Sequence, residues 1–315
     1  MAKKISIIGG GQIGGTIAHL ASLKNLGNVV ILDKKASFAK GKALDISHAN
    51  HIFGIDNKVS GTDNYEDISN SDVIIVTAGL PRKPGMSRDD LIQTNYEIIK
   101  DVAKNVSKYS PKAFVIVITN PLDAMVYAFQ KASKMASNMV IGMAGVLDTS
   151  RFCHFLSEAF NVSKKDINAM VLGGHGDTMV PVLGSSFVSG VPVLDFAKKL
   201  SILPEEIEKI VQRTRNGGAE IVELLGNGSA YYAPATAAIA MMESFLFDQK
   251  RILPCAAKLS GEYRVNDLYI GVPTVIGKNG CEKIIEVDLS QDETEMLKSS
   301  INAVKSLKEI VDKFD

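Results

Sequence analysis

The chain's reactive side chains are set among glycines and prolines at telling intervals. Gly9-Gly10-Gly11-Gln12-Ile13-Gly14 has the spacing GxGxxG, in which glycines let the backbone turn tightly and approach a pyrophosphate. In a chain with 26 glycines the motif alone is weak, but it follows an apolar run at 5–8 and opens a helix expected over 13–23. Asp33 ends the next apolar run, 19 residues after Gly14. A carboxylate there accepts from ribose hydroxyls and repels a 2′-phosphate, which predicts NAD over NADP, with Lys34 and Lys35 softening the preference.

Seven of the 35 basic residues are arginine, so each is a candidate for work that needs a planar, bidentate donor. Arg82 and Arg88 lie in Pro81-Arg-Lys-Pro-Gly-Met-Ser-Arg88, just beyond an apolar run at 73–76. Ligands bind past the carboxyl ends of parallel strands, and Gly79 and Gly85 could hinge a loop that closes there. Asp148 and Arg151, at i and i+3, share a helix face, where a surface ion pair is the plainer reading. His175 sits between glycines in Gly173-Gly-His175-Gly-Asp177, after a short apolar run at 169–172, so its ring is free to face a cleft. His19, His48, His51 and His154 read as structural or surface residues.

The elements that must position these groups follow from hydrophobic patterning. Apolar, β-branched runs at 5–8, 29–32, 73–76, 114–118 and 139–141 alternate with helical segments such as 91–106. Continuous apolar strands between helices indicate a parallel sheet covered on both faces. Residues 1–145 therefore read as a Rossmann-type doubly wound α/β domain that binds the dinucleotide. Residues 146–315 read as an α+β substrate and catalytic domain. Its helices are expected over 147–160, 204–225, 229–247 and 293–311, with strands at 268–276 and 284–287 joined by the turn Gly277-Lys-Asn-Gly280.

Composition narrows the classes. With 35 basic against 35 acidic residues the net charge is zero, which argues against a nucleic-acid partner. Cys153, Cys255 and Cys281 give no metal or disulfide spacing, so no metal is expected and free thiols in a reducing compartment are. The apolar run behind Met1-Ala-Lys-Lys is too short for a signal peptide, and no window is long enough to span a membrane. These readings make the protein soluble and cytoplasmic.

Together, Gly9 to Gly14, the 81–88 loop, Thr119-Asn-Pro121, Leu147-Asp-Thr-Ser-Arg151 and Gly174-His-Gly-Asp177 resemble the lactate/malate dehydrogenases, more narrowly the malate dehydrogenases of lactate-dehydrogenase type. The resemblance runs from residue 3 to about 310 and implies an NAD-dependent oxidoreductase of the tricarboxylic acid cycle acting on a dicarboxylate, malate or oxaloacetate. It makes His175 the acid/base, Asp148 the group that orients it, and Arg151 a clamp on one substrate carboxylate. Arg88, with Asn120, would polarise the reacting carbonyl, while Arg82 would pair with the second carboxylate. Gly9, Gly10, Gly11, Gln12, Ile13, Gly14, Asp33, Asn95, Ile118, Thr119 and Asn120 would contact NAD, and Ala230 would wall the pocket. A homo-oligomer is implied, a tetramer before a dimer. Arg264 stands where the resemblance leads one to expect glycine, so the turn there is expected to avoid positive φ.

Three other activities fit parts of the pattern. A lactate or broader 2-hydroxyacid dehydrogenase would share all but Arg82. An NAD-dependent glycosidase would need a metal-binding Cys and His pair, which these motifs lack. A non-catalytic dinucleotide-sensing module would have no use for His175, Asp148 and three arginines together.

Overall fold

Alternate residues of each central strand enter different cores, which is why the runs read as continuously apolar. Ile5, Ile7, Val29, Ile31, Val73, Ile75, Phe114 and Ile116 pack into one cluster; Ile8, Val30, Leu32, Ile74, Val76, Val115 and Val117 pack into another on the opposite face. The computed structural model describes residues 2–81 and 88–314, and of Arg88 and Asp89 the main chain alone.

In chain order the first half runs β1 (Lys4–Ile8), α1 (Gln12–Leu23), β2 (Asn28–Leu32), α2 (Ala36–Phe53), β3 (Val59–Thr62), β4 (Val73–Val76), α3 (Arg88–Tyr109), β5 (Phe114–Val117), α4 (Leu122–Ser133) and β6 (Val140–Gly142). It continues with α5 (Gly145–Phe160), the short strands β7 (Ile167–Asn168), β8 (Val171–Leu172), β9 (Val180–Pro181), β10 (Phe187–Val188) and β11 (Val191–Pro192), and α6 (Val193–Lys199). Last come α7 (Pro204–Leu225), α8 (Tyr232–Leu246), β12 (Arg251–Ser260), β13 (Asn266–Gly277), β14 (Gly280–Ile284) and α9 (Gln291–Asp312).

Among the described residues one nine-stranded sheet has the order β14-β13-β12-β6-β5-β4-β1-β2-β3. From β6 to β3 the pairing is parallel. Because β1 lies between β2 and β4, the winding reverses there, and a crevice opens past the carboxyl ends of the strands. One face is covered by α1, α2 and α8 through Ile17, Ala43 and Met242, the other by α3, α4 and α9 through Ile99, Phe129 and Leu307.

The second half does not keep its strands to itself. β12 joins β6 at Ala256 and Gly142, and β13 and β14 extend the same sheet antiparallel. Two expectations need correction. The last strand is Gly280–Ile284 rather than 284–287, since main-chain pairing runs with the Gly280 end while Ile284 and Val287 pack as core side chains. Tyr263 and Arg264 both adopt positive φ, +50° and +58°, so the turn does not avoid that region. It is held there by hydrogen bonds from the Tyr263 N–H to Glu286 Oε2 (2.8 Å) and from the Arg264 N–H to the Gly261 carbonyl (3.0 Å).

Candidate active site

The turns that leave β1, β4 and β5 are tied together at the crevice. Thr77 Oγ1 donates to the Gly9 carbonyl (2.9 Å), and Thr119 Oγ1 donates to the Ala78 carbonyl (2.7 Å). Asn95 of α3 is 1% exposed and spends its whole amide on this bracing. Its Nδ2 donates to the carbonyls of Asn120 (2.7 Å) and Leu80 (3.1 Å), and its Oδ1 accepts from the Leu80 N–H (2.8 Å). Ile118 and Thr119 are buried in the same seam, while Asn120 is exposed beside it.

The glycine turn has the geometry of a phosphate cradle. Gly9 has φ +107°, and a β-carbon on it would fall 2.6 Å from Thr77 Oγ1. On Gly14 a β-carbon would be driven into the Gly9 carbonyl oxygen, so this glycine lets α1 start against β1. Over Gly11 there is open space, with no atom within 4 Å of a β-carbon built there. The first turn of α1, with Gln12 and Ile13, has neither a side-chain cap nor an acidic residue, which leaves its N–H groups and positive dipole end to an anion. Asp33, just past β2, accepts from the Gly10 N–H (2.7 Å) and the Lys35 N–H (3.0 Å), so the carboxylate is fixed beside the turn. These residues fit a dinucleotide: an uncapped helix end for the pyrophosphate and an oriented acid for the ribose.

Sequence reasoning passed over Lys42. From α2 its Nζ donates to the Gly11 carbonyl (2.8 Å), where burial lowers its pKa against the opposing pull of Asp33. It adds a cation at the cradle, and no spacing signal could have placed it there from 31 residues away.

A second cluster forms where α4, α5 and α9 approach the loop between β8 and β9. His175 Nδ1 is 2.9 Å from Asp148 Oδ2, and the other oxygen of Asp148 accepts from Arg151 Nη1 at 3.2 Å. The i, i+3 pair is therefore no surface ion pair: the Asp148 side chain is 2% exposed and that of Arg151 13%. Gly217 and Gly218 of α7 leave a slot for the arginine, since a β-carbon at Gly217 would lie 3.2 Å from Arg151 Cδ. The His175 loop is pinned through its main chain, with the Gly174 N–H on Ser300 Oγ (2.8 Å) and the His175 N–H on Asp123 Oδ2 (2.9 Å). Neither Ser300 nor Asp123 stood out in the sequence.

Burial works against the charged form of His175, but the charge and hydrogen bond of Asp148, reinforced by Asp123, outweigh both burial and the opposing Arg151. The ring's pKa is held above the usual value as a result. Residues 119–123 join the two clusters: Thr119 and Asn120 belong to the braced turns and Asp123 to the histidine loop. Arg82 lies outside the described residues, as does the side chain of Arg88, whose main chain begins α3. Among the described residues no group of His, Cys, Asp or Glu is arranged to hold a metal, and no helix is long and apolar enough to cross a membrane.

Comparison with known proteins agrees with this geometry. The family model for the lactate/malate dehydrogenase NAD binding domain matches residues 3–142, and that for the lactate/malate dehydrogenase alpha/beta C-terminal domain matches 145–315. The chain is 57% identical over 314 residues to the malate dehydrogenase of Pelagibacter ubique (strain HTCC1062), covering 99% of this chain and 98% of that protein. A crystal structure of Cryptosporidium parvum malate dehydrogenase superposes with a TM-score of 0.97 at 48% identity, covering 99% and 100% of the two chains. The lactate dehydrogenase of the same organism, complexed with lactic acid and nicotinamide adenine dinucleotide, gives 0.96 at 48%, covering 99% and 98%. With both halves of the chain matched and the cradle and histidine cluster in place, the protein belongs to the lactate/malate dehydrogenase family of oxidoreductases, with NAD as its cofactor.

Proposed function

We infer that the protein interconverts (S)-malate and oxaloacetate, with residues 1–145 binding NAD and 146–315 supplying most of the substrate site. The observation that carries this reading is Asp148, whose two buried oxygens hold His175 Nδ1 and Arg151 Nη1 at 2.9 and 3.2 Å. With Nδ1–H donated to Asp148, the neutral ring keeps a lone pair on Nε2. Nε2 takes the hydroxyl proton of malate as the C2–H bond breaks, and returns it to the carbonyl oxygen in the reverse direction. Arg151 holds the substrate's C1 carboxylate by two parallel hydrogen bonds. Arg88 and Asn120 stabilise charge on the reacting oxygen.

When bound, NAD supplies the electron-pair acceptor at its nicotinamide. The main chain from Gly9 to Gly14, with Gln12 and Ile13 at the start of α1, holds the pyrophosphate, assisted by Lys42. Asp33 holds the ribose. Ile118, Thr119 and Asn120 border the nicotinamide side, and Asn95 acts through the two loops it braces.

Malate is preferred to lactate because Arg82 would meet the second carboxylate, a reading supported by the 57% identity to a malate dehydrogenase. Structural likeness alone does not separate the two, since malate and lactate dehydrogenases superpose equally well. The protein acts in the tricarboxylic acid cycle in the cytoplasm, a reducing compartment in keeping with three free thiols. It works as a homotetramer, or failing that a dimer; exposed Leu44, Ile52 and Phe53 on α2 supply apolar surface for a second copy. The test is NADH oxidation with oxaloacetate and with pyruvate. Oxaloacetate is expected to have the higher kcat/KM by about a hundredfold or more, and comparable constants would sink the malate reading.

A further inference from the structure

The loop bearing His175 is gripped from three helices, and the grip from α4 is a carboxylate. Asp123, in the first turn of α4, is 4% exposed. Its Oδ2 accepts the His175 N–H at 2.9 Å, and its Oδ1 makes no hydrogen bond among the described residues. From α5, Asp148 and Arg151 face the same imidazole. From α9, Ser300 Oγ holds the Gly174 N–H, and Val304 fills the space behind it. A β-carbon on Gly174 would lie 3.3 Å from Asp123 Oδ2, so the loop and the carboxylate are in direct contact.

A hydrogen bond to one N–H does not by itself call for a charge, since asparagine or serine would accept it equally well. Ionised aspartate in a dry place is costly, and its presence next to a ring that must carry positive charge for part of the cycle is the more economical explanation. We propose that Asp123 is a positioning residue for the reaction, fixing the His175 main chain from α4 and forming with Asp148 a two-carboxylate surround for the imidazolium. Burial pushes the Asp123 carboxyl up to about 6, with the His175 N–H and charge restraining it and Asp148 adding to the rise. The charge of His175 is thus one of the influences that set where Asp123 ionises.

The proposal rests on His175 being the acid/base, and the experiment separates the two. Profiles of kcat/KM against pH for oxaloacetate reduction are compared among wild type, Asp123→Asn and Asp123→Ala, with His175→Asn as the control. Loss of the second negative charge is expected to move the alkaline limb of both Asp123 variants down by about half to one pH unit. The Asn variant, which still accepts the His175 N–H, is expected to lose at most about tenfold at the plateau. The Ala variant, without an acceptor, is expected to lose more and to raise the KM for oxaloacetate.

An alkaline limb unmoved in both variants, with rates uniformly lowered, would mean that Asp123 only holds the loop, and the proposal would fall. Substantial turnover by His175→Asn would instead overturn the acid/base reading. A measurement on the unsubstituted protein covers the case in which the variants do not fold. The ring nitrogens of His175, followed by ¹⁵N NMR in the unliganded protein, are expected to sense a second titration near pH 6 beside their own, and a single inflection there would refute the coupling.

Discussion

Asp148 Oδ2 stands 2.9 Å from His175 Nδ1, with side-chain exposures of 2% and 15% respectively. Burial alone would make the ring give up its proton more easily than free histidine, but the carboxylate's charge and hydrogen bond reverse the balance, and the proton is held above the usual value. With His175 as the proposed acid/base, oxaloacetate reduction needs that proton. Its kcat/KM is therefore expected to be flat below the raised value and to fall as pH rises through it, while malate oxidation, which needs the neutral ring, climbs over the same interval. Asp148→Asn removes the charge, so both limbs are expected to move to lower pH and turnover to drop about 10²- to 10⁴-fold. Profiles in the two directions check this, and limbs that stay in place would detach Asp148 from the titration.

Removing the ring itself makes a cleaner cut. The imidazole of His175 is hydrogen-bonded to Asp148 on α5, away from the hydrogen bonds that brace the glycine turn. His175→Asn is expected to abolish turnover while the Kd for NADH changes by no more than about twofold. Fluorescence titration with NADH beside a steady-state assay tests both halves.

Asp33 has a different pair of consequences. Its oxygens accept main-chain N–H groups from Gly10 and Lys35, so the carboxylate braces the glycine turn as well as being proposed to meet a ribose. Asp33→Ser is expected to lower the kcat/KM for NADH by about tenfold or more and to narrow the preference over NADPH, which no longer meets a repelling charge. An unchanged ratio between the two cofactors would remove Asp33 from ribose recognition.

On the proposed reading, specificity between substrates turns on Arg82. A hydrogen bond to a charged group contributes about 1.5 to 3 kcal/mol, so Arg82→Gln is expected to cost oxaloacetate roughly ten- to hundredfold in kcat/KM. Pyruvate, which lacks the second carboxylate, is expected to lose nothing and to gain from removal of an unpaired cation. The ratio of the two constants is the measurement, and a fixed ratio would return the choice between malate and lactate to other residues.

The elements most legible in the sequence are those whose physics is local. The strand at 73–76 has its observed bounds because both its faces are buried, and α7 is Pro204–Leu225 because proline at its start and an apolar stripe mark it out. α2 escaped notice: it buries only Ala39, Ala43, Ile46 and Asn50 and exposes Leu44, Ile52 and Phe53, which blurs its apolar face. Strand β12 was hidden by Pro254, a residue that ordinarily argues against a central strand. In the site, the glycine turn and His175 were readable from their spacing. Asp123 was not, because an acid in the first turn of a helix reads as an ordinary partner of the helix dipole, and its burial against a loop 52 residues away is a tertiary fact.

Two glycines of one motif should respond differently to the same added methyl. At Gly14 a β-carbon collides with the Gly9 carbonyl oxygen, a backbone atom that cannot move without parting α1 from β1. Gly14→Ala is therefore expected to destabilise the fold by about 1 to 3 kcal/mol, the usual cost of overpacking, and to weaken NADH binding as the helix end shifts. At Gly11 the β-carbon meets nothing within 4 Å, so the unliganded fold has no reason to change. It would, however, stand in the open space proposed to take the pyrophosphate. Gly11→Ala is thus expected to keep its melting temperature and still lose NADH affinity, by about tenfold or more. Thermal denaturation and NADH titration of the two variants decide the matter: if Gly11→Ala binds NADH as tightly as the unsubstituted protein, the pyrophosphate does not lie over this turn.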